Sequence, residues 1–297
     1  MNKHIGFIGL GDMGFSMATN ILKAGYSLTG YDLREERLDL LESLGGHRAS
    51  SPAEVGKVAD VVFIMVMTGQ QATIIVNGAE GLLQTMTPGK TILLTATIEP
   101  SEARTIGKAV IDKGIHMIDA PVSGGQNGAE AGTLALMAAG KKNVWDENLD
   151  VMNAVGKNIF HVGEEIGIGQ TVKASLQALI GCTFTAIFES LVLGSKAGVD
   201  GKVLYDVFSA SGVSSPLFMN CAKLIMDRKF KDTGSQIGTM YKDLGITMNL
   251  ARENGVPMFT TAAAQQLFQA GISKFPGEDN WTITKVLEEI AETEVKW

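Results

Sequence analysis

Four short stretches of this chain hold residues whose types and spacing could do chemistry. The first is GLGDMG, Gly9 to Gly14, with Asp32 lying 18 residues beyond its last glycine. Gly9 permits a tight turn, Gly11 lets backbone approach a pyrophosphate, and Gly14 allows a helix to pack closely on a strand. The intervening Leu10, Asp12 and Met13 carry the turn into the start of a helix, whose free N–H groups suit phosphate oxygens. An acidic residue at the end of the next strand accepts from ribose hydroxyls, and Asp32 stands there. A bare tight turn beside a surface aspartate is the other reading. Asp32 would repel a 2′-phosphate, which favours NAD over NADP, while the nearby Arg34 leaves NADP open.

The second stretch is DAPVSGGQNGAEAGTLALMAAG, residues 119 to 140. Ser123, Gly124 and Gly125 can offer a hydroxyl and unencumbered N–H groups to one small anion, or form a plain flexible turn. The third is GIGQTVKASLQ, where Lys173 sits near the start of a long apolar helix and Gln177, at i+4, shares its face. The helix dipole opposes a cation there and an apolar cleft disfavours its charge, so both lower the lysine's pKa. That condition suits an amine to general acid/base work, although a lysine can also snorkel to solvent. The fourth is Lys242 and Asp243 in TMYKDLGITM. Adjacent helical residues point in different directions, which suggests separate tasks, with a structural salt bridge as the alternative.

These residues need elements to position them. From residue 4 to about 163, β-type runs alternate with helical stretches: 4–10, 27–32, 61–66, 91–97, 116–121, 134–140 and 158–163, with helices such as 15–24, 34–44 and 100–113 between them. The first runs are continuously apolar, as strands buried on both faces are. The pattern predicts an α/β Rossmann domain with a mostly parallel, doubly wound sheet, its last strands added by hairpins. Beyond about residue 164 strand signals stop and helical periodicity takes over, with Asp200 and Ser215 as N-caps. The expected division is 1–163, binding dinucleotide, and 164–297, all helical, joined by a long helix from about Gly169 to Ala197.

A net charge of −7 argues against nucleic acid or acidic membranes as partners and toward a small-molecule substrate. Cys182 and Cys221 fit no metal pattern and read as free thiols in a reducing compartment. No secretory leader is legible, nor an uninterrupted apolar run of membrane length, so a cytoplasmic protein is expected.

Taken together, FIGLGDMGFSMATNILKAG (7–25), DAPVSGGQNGAEAGTLALMAAG (119–140), GIGQTVKASLQ (167–177) and KDLGI (242–246) resemble the β-hydroxyacid dehydrogenase family in order and spacing, over nearly the whole chain. The resemblance implies oxidation of a hydroxyl β to a carboxylate, or the reverse, by hydride exchange with a nicotinamide cofactor. It implies that Lys173 takes the hydroxyl proton and that Ser123, Gly124 and Gly125 hold the substrate carboxylate. Thr97 and Lys242 match residues at the nicotinamide, and Val66 and Met67 fall where the family usually has a Leu-Pro pair along the dinucleotide. The common KxxNN reads KASLQ here, with Leu176 and Gln177. The glutamine is similar to the threonate dehydrogenase branch and implies a substrate other than 3-hydroxyisobutyrate, such as a C4 sugar acid. A homodimer or homotetramer is also implied. An NADPH-dependent reductase of small semialdehydes, or a dinucleotide-binding module without catalysis, remain the alternatives.

Overall fold

The computed structural model describes residues 3–297 and divides into two compact units, one ending at Lys173 and one from Ala174 to Trp297. In the first unit, nine strands form one sheet: β1 (His4–Ile8), β2 (Ser27–Tyr31), β3 (His47–Arg48), β4 (Val61–Ile64), β5 (Thr91–Leu94), β6 (His116–Asp119), β7 (Val122–Ser123), β8 (Leu134–Ala139) and β9 (Gly156–Gly163). Their order is β3-β2-β1-β4-β5-β6-β8-β7, with β9 on β8. Helices α1 (Asp12–Lys23), α2 (Glu35–Ser43), α3 (Pro52–Val58), α4 (Gly69–Asn77), α5 (Pro100–Asp112), α6 (Gly125–Glu130) and α7 (Lys142–Asn153) connect them. The chain winds outward from β1 in one direction to β3, then returns to β4 and winds in the other. Such a reversal leaves a crevice at the carboxyl ends of the central strands.

Side chains alternate between the two faces of this sheet. Ile5, Phe7, Phe63, Leu93 and Ile118 enter one core, while Ile8, Val62, Ile64, Ile92 and Leu94 enter the other. Both faces are therefore dry, which is why the central strands read as continuous apolar runs. Phe7 stacks on Phe63 with ring centroids 5.5 Å apart, locking β1 to β4.

Two expectations change. Six of the seven expected strands stop one to three residues short of their expected ends, because the chain turns out of the sheet there; β1 ends at Ile8, where Gly9 takes φ 93°, while β9 ends at Gly163 as expected and starts two residues earlier. The edge is not made of hairpins throughout: β7 and β8 are antiparallel but separated by α6, and β9 returns parallel to β8 through α7. A 12-residue helix is long enough to carry the chain back to the same end of the sheet.

Helix α8 (Ile168–Lys196) begins within the first unit and continues into the second, followed by α9 (Gly201–Ala210), α10 (Pro216–Met226), α11 (Ile237–Glu253), α12 (Phe259–Lys274) and α13 (Ile283–Ala291). Asp200 accepts from the Lys202 and Val203 N–H groups, and Ser215 from Phe218 N–H ahead of Pro216, so both expected N-caps form. A core of Phe184, Phe188, Phe218, Phe268 and Trp281 holds the second unit, with Trp281 edge-on to Phe184 at 5.3 Å. By length and composition α8 could cross a membrane: its best window has mean hydropathy 1.7, with 39% of it buried. Glycine and threonine interrupt the apolar residues, which is why counting an uninterrupted run missed it.

Candidate active site

The glycine turn is built by close backbone contacts. A Cβ on Gly9 would fall on the Met65 carbonyl, and one on Gly14 would fall on the Gly9 carbonyl, so both positions require glycine. Gly9 N–H donates to Tyr31 O at 2.9 Å and Leu10 N–H to Asp32 Oδ2 at 2.7 Å, which fastens the turn to the end of β2. Helix α1 starts at Asp12 without a side-chain cap, and a Cβ on Gly11 would meet only Arg34 Nη2, at 3.8 Å. The strip over Gly11 is open and faced by N–H groups, as a pyrophosphate requires. Asp12 pairs with Arg37 at 2.9 Å, and Met13 packs against the core.

Asp32 holds Arg34, accepting from its Nε at 2.9 Å, Nη2 at 3.1 Å and N–H at 3.0 Å. Burial alone would raise the Asp32 pKa, but the Arg34 and Leu10 hydrogen bonds outweigh it and keep the carboxyl below its ordinary value. A ribose diol reaching this point would meet an ionised acceptor, and an incoming phosphate would meet a guanidinium already engaged.

Strand register brings the other first-unit candidates to the same edge. Ile8 pairs with Ile64, Ile64 with Leu94, and Leu94 with Asp119, so the segments after all four strands leave side by side. Those segments carry Gly9 to Gly14, the half-buried Val66, the exposed Met67, the half-buried Thr97 and, beyond Asp119, Ser123. Met67 N–H donates to Gln71 Oε1 at 3.0 Å and Thr68 N–H to the same oxygen at 3.2 Å, part of the capping box that opens α4. Ser123 lies on β7, and Gly124 and Gly125 follow at φ 136° and 62°, backbone that glycine adopts without strain. The expected Gly/Ser loop is thus a short strand running into a helix rather than a plain turn.

Lys173 is only 6% exposed on α8. Just ahead of it lies a buried group that motif reading did not single out. Asp119 accepts from Gly167 N–H at 3.0 Å, Gln170 N–H at 3.1 Å and Gln170 Nε2 at 2.7 Å. Gln170 Nε2 also donates to Ala96 O at 2.9 Å, and its Oε1 accepts from Ile98 N–H at 3.0 Å. A Cβ on Gly169 would sit 2.5 Å from the Asp119 and Met137 carbonyls, so only glycine lets α8 approach this closely. The sequence signal was available: a carboxylate ending an apolar strand, and an amide opening an apolar helix.

Burial pushes the Asp119 carboxyl up to about 6 despite these donors. An acid with a raised folded-state pKa binds its proton more tightly when folded, so its stabilising contribution is full below the unfolded value near 3.8 and is lost as pH rises through about 6. Denaturant titrations at several pH values should show wild type losing about 2 kcal/mol relative to Asp119→Asn between pH 4 and 7. A flat difference would refute the assignment.

In the second unit, Gln177 is 7% exposed, and its Nε2 donates to Asp243 Oδ2 at 2.6 Å and lies 3.5 Å from Met240 Sδ. Lys242 Nζ is 3.1 Å from Asp243 Oδ1, so the neighbours expected to work separately are paired; the lysine arm is long enough to fold back. Thr247 Oγ1 donates to Ala174 O at 2.9 Å and ties α11 to α8. Cys182 and Cys221 are free, and burial pushes the Cys221 thiol up.

Comparison with known proteins agrees with this layout. Residues 4–163 match the NAD binding domain of 6-phosphogluconate dehydrogenase, and residues 167–287 match the NAD-binding family of NADP-dependent 3-hydroxyisobutyrate dehydrogenase. The chain is 36% identical to an L-threonate dehydrogenase of Cupriavidus necator over 96% of both chains. It is 34% identical to a 2-(hydroxymethyl)glutarate dehydrogenase of Eubacterium barkeri, covering 96% of this chain and 95% of that one. Among solved structures, a 3-hydroxyisobutyrate dehydrogenase from Salmonella typhimurium superposes with a TM-score of 0.86 at 30% identity, covering 96% of this chain and 99% of that one. Agreement of this extent in sequence and fold makes the chain a member of the β-hydroxyacid dehydrogenase family, the NAD(P)-dependent oxidoreductases of small hydroxy acids.

Proposed function

We propose that the chain is an NAD-preferring dehydrogenase of small β-hydroxy acids that carry a further hydroxyl, C4 sugar acids such as threonate among them. The observation that carries this reading is Lys173, buried on an apolar helix in a chain of this family. As general acid/base, Lys173 Nζ takes the substrate hydroxyl proton during oxidation and returns it during reduction. A bound nicotinamide would supply the hydride chemistry, receiving a hydride from the carbon that bears this hydroxyl in oxidation and returning it in reduction. The Ser123 hydroxyl and the N–H groups of Gly124 and Gly125 hold the substrate carboxylate. Residues Gly9 to Gly14 and Asp32 bind the dinucleotide, with Val66 and Met67 along it and Thr97 and Lys242 at its nicotinamide end. On this reading residues 1–163 bind the cofactor and residues 164–297 serve substrate and association.

Gln177 supports the extra hydroxyl. Its amide nitrogen is committed to Asp243 and Met240, which leaves the carbonyl oxygen to accept. A substrate hydroxyl can donate to that oxygen; a carboxylate cannot. The L-threonate dehydrogenases among the relatives agree with this chemistry. A panel of small hydroxy acids assayed with NAD and NADP, read by absorbance of the reduced cofactor, tests it. The reading expects the highest kcat/KM on a 2,3-dihydroxylated acid, and equal or better activity on its deoxy counterpart would refute the substrate class. Reduction of a semialdehyde with NADPH is the second reading, favoured by Arg34 beside Asp32.

Association into two or four copies is supported by α8, where Leu179 is 67% and Leu193 72% exposed in the single chain. Sedimentation equilibrium of the same preparation reads the copy number, and a monomer at micromolar concentration would exclude association.

A further inference from the structure

Gln170 and Asp119 have no part in the roles assigned above, yet their hydrogen bonds join the segment that carries Thr97, the end of β6 and the start of α8, which carries Lys173. We infer that Gln170, held by Asp119, is a positioning residue that fixes Lys173, Thr97 and the approach to Ser123 in one relation. The inference rests on reading Lys173 as the proton-transfer group.

The Gln170 side chain is 1% exposed and all its donors are used. Its Oε1 accepts from Ile98 N–H at 3.0 Å and its Nε2 donates to Ala96 O at 2.9 Å, so the two bonds grip the backbone on either side of Thr97. The second amide hydrogen goes to Asp119 Oδ1 at 2.7 Å. Asp119 closes β6, four residues before Ser123, and its other oxygen accepts from Gly167 and Gln170 N–H, which sets the first turn of α8. Lys173 follows Gln170 by three residues and is its neighbour on the helix surface.

This pattern needs an amide. A charged glutamate has no hydrogen to give to Asp119 or Ala96 O, and leucine or methionine fills the volume without engaging either segment. A residue serving only to fill space would not need a donor pair and an acceptor aimed at two separate pieces of chain, residues 96–98 and Asp119. Supporting groups of this kind matter because a displacement of about 1 Å at a reacting atom costs about 100-fold in rate.

The test uses the full-length enzyme and its best hydroxy acid substrate, with Gln170→Met and, as a smaller change in packing, Gln170→Asn, whose amide is one methylene too short to span the same bonds. Each is expected to lower kcat by about 10- to 100-fold while the Kd for NAD, read by quenching of tryptophan fluorescence, moves less than about threefold. The solvent deuterium isotope effect on kcat should rise, because proton transfer through a displaced Lys173 becomes slower; a role in folding alone would not move it. If either variant folds and keeps both kcat and the isotope effect of wild type, the positioning role is overturned, and failure of both to fold assigns Gln170 to folding alone. A Lys173→Ala enzyme that retains its kcat overturns instead the reading on which the inference rests.

Discussion

Replacing Lys173 with alanine is expected to lower kcat by about 10²- to 10⁴-fold, the usual contribution of a positioned acid/base group, and to leave NAD binding within a few-fold. The two outcomes separate because the dinucleotide contacts proposed for Gly9 to Gly14 and Asp32 lie on the turn after β1 and at the end of β2, whereas Lys173 lies on α8. Arginine at the same position should be no better than alanine, since a guanidinium stays protonated at working pH and cannot take a proton. Small primary amines added to Lys173→Ala should restore part of the rate, because they supply the missing base to the space that the side chain leaves. Near-normal kcat in the alanine variant would take Lys173 out of the mechanism.

Cofactor choice should respond almost as strongly to Asp32. In Asp32→Ala the ribose loses its acceptor and Arg34 loses the carboxylate that now engages it at 2.9 Å and 3.1 Å. The released guanidinium suits a 2′-phosphate, a charge-assisted contact roughly twice as strong as a neutral one. The ratio of kcat/KM for NAD to that for NADP should therefore fall by about 100-fold or more, combining a loss of about tenfold for NAD with a similar gain for NADP. Steady-state rates with each cofactor at matched concentrations measure this. An unchanged ratio would mean that neither Asp32 nor Arg34 reads the ribose.

Much of this fold could be read directly from the chain because its constraints are local. Gly9 and Gly14 are forced by contacts within the turn or with the neighbouring strand, and the strands of the sheet centre declare themselves by being apolar on both faces. Lys173 stood out because a charged residue in an apolar helix has few reasons to be there. The direction of β9 was not legible, since residue alternation records which face a side chain takes and is silent on the sense of pairing. Nor were the partners of the buried polar groups. Asp119 and Gln170 are 51 residues apart and Gln177 and Asp243 are 66 apart, and each pair meets only once the sheet or the helices have assembled. Asp119 was visible as part of a motif, but its task depends on a helix N-terminus that arrives from far along the chain.

The bond from Met67 N–H to Gln71 Oε1 couples residue 67 to residue 71. Proline has no such donor, so a chain with proline at 67 could not make the bond to Gln71 Oε1. Positions 67 and 71 behave as a linked pair: anyone grafting a Leu-Pro segment into this enzyme should redesign residue 71 together with it, since the glutamine would keep only its bonds to Thr68.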